Sequence, residues 1–126
     1  MKENHRETTD IQDIHNNFEY LGKMDDPTAY GKIKGICGDE LEFYIKVEND
    51  IIKSVKFLTS GCYFTKSCGE AVAREAEGKK VFDALEINPK QVLSLMKGLP
   101  VNHTHCTILA VSSLYKTIAN YLWQKH

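Results

Sequence analysis

No run of apolar residues in this chain approaches the length a membrane span requires. The longest, Ile108 to Val111, covers four residues, where a spanning helix needs about 20. An excess of charge of one sign is missing as well: 16 Lys+Arg against 17 Asp+Glu leave a formal net charge of −1. Nothing in that balance draws the chain to nucleic acid or to an anionic lipid surface, so neither is expected as a partner. Met1 to Asp10 is polar throughout and lacks the apolar stretch of a secretory signal, which makes the cytoplasm the expected location. A disulfide framework is not required either, because a chain of 126 residues buries roughly two-thirds of its extended surface on folding. Four cysteines in a chain without an export signal point to a reducing compartment, where they more often bind metal or react than pair.

What is present reads as one domain over residues 1–126, with 1–10 frayed. Ile11, Ile14, Phe18 and Leu21 recur at helical spacing behind Asp10, which predicts an amphipathic helix. Tyr30 to Ile36 contains Gly31 and Gly35, the mark of a strand that another element approaches closely. Leu41, Phe43, Ile45 and Val47 alternate with polar or half-polar neighbours, and Asn49-Asp50 joins this run to Ile51–Thr59, predicting a half-buried hairpin. After Gly61 the period changes to that of helices: one ending at Gly78, a short turn over Val81 to Leu85, one from Asn88-Pro89 through about Met96, and a long terminal helix from Thr104. Strands first and helices after predict an α+β fold, a small three-stranded antiparallel sheet packed in two layers against several helices.

Three cysteines stand in distinct settings: Cys37-Gly38-Asp39, Gly61-Cys62 and His105-Cys106. A two-residue hairpin pairs residues whose numbers sum to about 99, which sets Cys37 opposite Cys62. Cys62 and Cys106 both fall at predicted helix starts, where N–H groups and the helix dipole favour thiolate. Asp39 aims a carboxylate near the same place, although turn capping accounts for it equally well. Three thiols with Asp39 or His105 can complete a four-coordinate site for zinc or the terminal ligands of a [2Fe-2S] unit. No CxxC pair is present. Cys68, six residues after Cys62, is turned about 240° away from it on a helix and reads as core packing. His103 reads as an exposed loop residue.

The order Cys-Gly-Asp, Gly-Cys, then Leu-Pro and His-Cys, followed by Thr107-Ile-Leu-Ala110 and Ala119-Asn-Tyr121, resembles the IscU/NifU-type iron-sulfur cluster assembly scaffolds. The resemblance runs from about Ile11 to Trp123. It implies that Cys37, Cys62 and Cys106 hold iron and sulfur while a transient [2Fe-2S] cluster is built, and that Asp39 promotes its release. It implies a cysteine desulfurase as sulfur donor, with Cys106 or Cys62 as persulfide acceptor. An electron donor such as a ferredoxin and apo iron-sulfur recipient proteins are further implied partners, and the loaded form is monomer or homodimer. By this resemblance the chain is a scaffold and not an enzyme, and zinc is an occupant of its cluster-free form. The family's Leu-Pro-Pro-Val-Lys segment, read by a dedicated chaperone, stands here as Leu99-Pro-Val-Asn-His103, so recognition by that chaperone is not expected. The second reading is a zinc-dependent sulfur-transfer protein of the same fold, whose relatives carry an insertion between the second and third cysteines that is missing here. A structural-zinc interaction domain ranks third.

Overall fold

The computed structural model describes residues 9–10, 18–36 and 38–125. Strands β2 (Ala29–Lys34), β3 (Glu40–Glu48) and β4 (Ile51–Thr59) form an antiparallel sheet in that order, and β1 (Thr9–Asp10) pairs in parallel with β5 (Met96–Lys97). Four helices follow the sheet among the described residues: α1 (Tyr63–Ala76), α2 (Val81–Ala84), α3 (Pro89–Leu95) and α4 (His105–Lys125), with a 3-10 turn at Val101–His103 leading into α4. This is the expected α+β arrangement. The alternation of β3 has the expected consequence, since Leu41, Phe43 and Ile45 are fully buried beneath the helices while Glu42 and Tyr44 are only partly covered.

The hairpin turns at Asn49 and Asp50, both with positive φ (55° and 61°), the backbone that matches the twist of two-residue hairpins. Glu48 pairs with Ile51 and Val47 with Ile52, as a sum of 99 requires. A bulge at Lys46/Val47 then shifts the register, so that Ile45 meets Val55 and Leu41 meets Thr59. The extra residue lets Ile52 and Val55, three apart, both face inward beside Phe57.

Gly31 and Gly35 behave as the sequence suggests. A Cβ on Gly31 would lie 2.7 Å from the backbone N of Thr117, and one on Gly35 would lie 3.3 Å from Leu109, so α4 runs directly across β2. Gly69 serves the same purpose in α1, where a Cβ would meet the Phe57 ring at 2.6 Å. The two long helices therefore sit close on the sheet and against each other. Asn88 caps α3 by accepting a 2.8 Å bond from Gln91 N, with Pro89 in its first turn.

Two expectations need correction. The amphipathic helix over 11–21 falls mostly outside the described residues, as do Ile11 and Ile14, but its end is not helical. Leu21 bridges to Phe57 in parallel, Gly22 N donates to Phe57 O at 2.8 Å, and Phe57 N donates to Tyr20 O at 2.9 Å. The buried Glu70 carboxylate accepts from Glu19 N and Tyr20 N at 2.9 and 3.1 Å. A sheet edge and a carboxylate satisfy this backbone, and that outweighs the apolar period. Second, Met96 belongs to β5 and not to the end of α3, because Thr9–Asp10 supply it with a partner strand; of the stretch 1–10 expected to fray, residues 1–8 lie outside the described residues.

Candidate metal centre

Cys62 occupies the N-cap of α1 in extended conformation (φ −71°, ψ 180°) and makes no side-chain cap bond, so its thiol is left exposed. One turn along the helix, Thr65 is fully buried, and its hydroxyl stands 3.9 Å from Cys62 Sγ and 3.4 Å from Cys106 Sγ. The absence of a side chain at Gly61 makes this close seat possible, since a Cβ there would lie 2.7 Å from Thr65 Cβ. Cys106 is the second residue of α4 and almost wholly buried. Thr65 thus links the start of one long helix to the start of the other.

The imidazoles come from the turn preceding Cys106. His103 Nδ1 and His105 Nε2 each lie 3.9 Å from Cys106 Sγ, and the ligand atoms of His103, His105 and Cys106 all fall within 4.8 Å of one another. An ion bound tetrahedrally at ~2.3 Å from sulfur and ~2.1 Å from nitrogen separates those donors by about 3.6 Å, so small side-chain rotations are enough for this trio to close on a metal. The aromatic neighbours fix the rings: Phe64 packs on His103 at 4.3 Å between centroids, Tyr63 on Phe64 at 4.6 Å, and the His103 and His105 rings stack at 5.9 Å. Tyr63-Phe64 therefore walls the imidazole side of the site.

The fully buried Cys68 also bears on the Cys106 sulfur, through a hydrogen bond between the two thiols. That bond is the largest influence lowering the Cys106 thiol to about 5, helped by Thr65, His103 and His105 and opposed by burial. The same bond, with burial, pushes the Cys68 thiol far up. One sulfur gains what the other loses. The negative charge settles on Cys106 because Thr65 and the two imidazoles also surround it, and they favour the ionised form.

Of the residues singled out in the sequence, His105 and Cys106 are brought together, Cys62 stands across Thr65 from them, and Cys37 lies outside the described residues, as does its pairing with Cys62. Asp39 sits partly buried in the turn between β2 and β3, where its backbone carbonyl accepts from Gly35 N at 2.7 Å; its carboxylate is not in the cluster formed by His103, His105 and Cys106. Two readings change. His103 is a member of the cluster and not a solvated loop residue, because the 3-10 turn folds it back over α4; the pattern His-x-His-Cys was the available signal. Cys68 is buried as expected but is not remote from the site. Its rotation away from Cys62 is what points it at Cys106, on the neighbouring helix.

An α+β domain that gathers thiols and imidazoles at the starts of its two long helices presents a donor set of the kind that soft and borderline metal ions select. The chain belongs to the family of NifU-like N-terminal domains, whose model matches residues 6–126. It is 33% identical over 112 residues to iron-sulfur cluster assembly scaffold protein IscU 1 of Archaeoglobus fulgidus, covering 88% of this chain and 73% of that protein. It is 32% identical over 108 residues to the IscU scaffold protein of Aquifex aeolicus, covering 83% and 69% respectively. Its fold matches the crystal structure of a NifU-like protein N-terminal domain from Brucella abortus with a TM-score of 0.73 at 16% identity, over 96% of this chain and 94% of that one.

Proposed function

We propose that this protein is a scaffold on which [2Fe-2S] clusters are assembled and from which they are transferred. The observation that carries the reading is the Cys106 sulfur, held as thiolate among Thr65, His103 and His105 with the exposed Cys62 thiol across Thr65, in a chain whose relatives are named as cluster assembly scaffolds. A buried thiolate beside an exposed thiol suits the work of receiving sulfur and holding iron. Cys106 and Cys62 are the candidate acceptors of persulfide sulfur from a cysteine desulfurase. Cys37, Cys62 and Cys106 supply thiolates to iron, and Asp39 or His105 supplies the fourth donor. A carboxylate or imidazole in place of a fourth thiolate is a harder ligand that exchanges more readily, which suits cargo meant to leave. A ferredoxin-type electron donor and apo iron-sulfur proteins complete the cycle, and the protein acts as carrier and not as an enzyme. No helix among the described residues is long and apolar enough to cross a membrane; the compartment proposed for this work is the reducing cytoplasm, where unpaired thiols persist.

The test is anaerobic reconstitution with ferrous iron, cysteine and a desulfurase, followed by visible absorbance and metal analysis. Wild type is expected to develop sulfur-to-iron charge-transfer bands that Cys106→Ser and Cys37→Ala lose. A second reading, zinc-dependent sulfur transfer, draws on the two-imidazole, one-thiolate donor set, which is well suited to zinc. Stoichiometric zinc that resists displacement by iron and sulfide would favour it and count against the scaffold.

A further inference from the structure

Cys62 and Cys106 are not placed alike with respect to the imidazoles. His103 Nδ1 and His105 Nε2 each stand 3.9 Å from Cys106 Sγ, and these three atoms lie within 4.8 Å of one another. The 3-10 turn at Val101–His103 leads directly into α4, and it brings Nδ1 of one ring and Nε2 of the other to the same sulfur. Phe64 of α1 packs on the His103 ring at 4.3 Å, and that ring stacks on His105 at 5.9 Å, so the pair is braced from both long helices. Cys62 is not in this group. From the start of α1 it is the hydroxyl of the fully buried Thr65, and not the Cys62 thiol, that meets the Cys106 sulfur, at 3.4 Å.

We propose that His103 is a metal ligand and that the two thiols divide the work: one divalent ion, zinc or ferrous iron, is held by His103 Nδ1, His105 Nε2 and Cys106 Sγ, while Cys62 stays free beside it as the thiol that receives sulfur. The second half rests on the persulfide reading given above; the first half does not. Two imidazoles and a thiolate suit borderline divalent ions, and three protein donors leave the fourth position of a tetrahedral ion open to an incoming group. Access separates the thiols in the same sense. Cys106 is 1% exposed, whereas Cys62 is exposed at the N-cap of α1 and makes no side-chain cap bond, so a persulfide carried by another protein meets Cys62 first. In that transfer the Cys62 sulfur attacks the outer sulfur of the donor's persulfide. A sulfur–sulfur bond forms on Cys62, the donor's bond breaks, and the donor cysteine leaves with the electron pair and takes up the Cys62 proton. A thiol and a persulfide exchange places with no net oxidation or reduction. Sulfur thus arrives next to the ion and not on one of the ion's own ligands.

The experiment uses the full chain, reduced and metal-free, with nitrogen-labelled histidine and spin-active cadmium as the probe ion. Long-range nitrogen spectra of wild type are expected to show cadmium coupled to Nδ1 of one imidazole and Nε2 of another, and His103→Ala should lose the Nδ1 coupling alone. Zinc competed against a chelator should bind His103→Ala more weakly by more than the roughly 10–100-fold that losing an outer partner of a ligand costs. A wild-type spectrum with no metal-bound Nδ1, or one whose Nδ1 coupling survives in His103→Ala, would overturn the ligand assignment. For the thiols, iodoacetamide labelling with peptide mapping should modify Cys62 as fast with zinc bound as without it, and brief exposure of the zinc-loaded protein to glutathione persulfide should leave the added sulfur on Cys62. Protection of Cys62 by zinc, or added sulfur on Cys106 or Cys37 in its place, would overturn the division of work. Added sulfur on none of these thiols, with or without zinc, would overturn the persulfide reading beneath it, and the nitrogen couplings would still decide the metal site.

Discussion

At the scale of single residues, the site is governed by where one negative charge rests. Cys106 is held down at about 5 by the Cys68 thiol, Thr65 and the two imidazoles, whereas an unfolded cysteine titrates near its ordinary value of about 8.5. A group whose folded value is depressed contributes stability that is fully present above the unfolded value and lost as pH falls through the folded one. The metal-free, reduced protein should therefore lose stability between about pH 8.5 and pH 5, and denaturant midpoints measured across that window should slope down toward acid. Cys106→Ser should flatten this slope; a profile identical to wild type would mean that the thiolate is not where the geometry puts it. His103 shows what a sequence conveys poorly at this scale. Its three-residue separation from Cys106 was visible, but whether a histidine before a helix turns toward solvent or folds over the first turn depends on a 3-10 turn and on the Phe64 ring against it.

At the scale of elements, the three strands of the main sheet and the four described helices follow from pattern alone. The hairpin limits Glu40–Glu48 and Ile51–Thr59 coincide with the expected ones, because strict alternation and a positive-φ Asn-Asp turn leave little choice of register near the turn. The bulge at Lys46/Val47 was not legible, since Val47 and Ile52 satisfy the alternation with or without it. The segment 18–21 was misread for a similar reason: apolar spacing of three and four residues describes a helix face, yet these backbone groups find partners on β4 and on Glu70. The clearest mechanical constraint is Gly31 against α4. Gly31→Ala would drive a Cβ to 2.7 Å from Thr117 backbone atoms, and backbone cannot give way as a flexible side chain can. Thermal or urea unfolding should register a loss of about 1–3 kcal/mol, the range for overpacking a tight contact. An unchanged midpoint would show that α4 shifts freely over β2.

At the scale of the whole molecule, the centre depends on two helices being seated on one sheet, because Thr65 and Cys68 ride on α1 while Cys106 and His105 ride on α4. Binding an ion to the folded site should accordingly stabilise the entire domain by mass action, about 2.7 kcal/mol at a hundredfold excess over Kd. Calorimetry with added zinc should raise the unfolding temperature of wild type but not that of Cys106→Ser or His103→Ala, and a shift that survives both changes would assign the ion to another place. The sequence by itself determined the order of strands and helices, the glycines that admit close approach, the polar balance and the residue types at the site, since each of these is carried by local spacing and composition. Only the tertiary structure decided that Cys68 faces Cys106, that His103 joins the cluster and that Asp39 does not. Each of these depends on how one element is rotated against another, and the packing of side chains far apart in the chain sets that rotation.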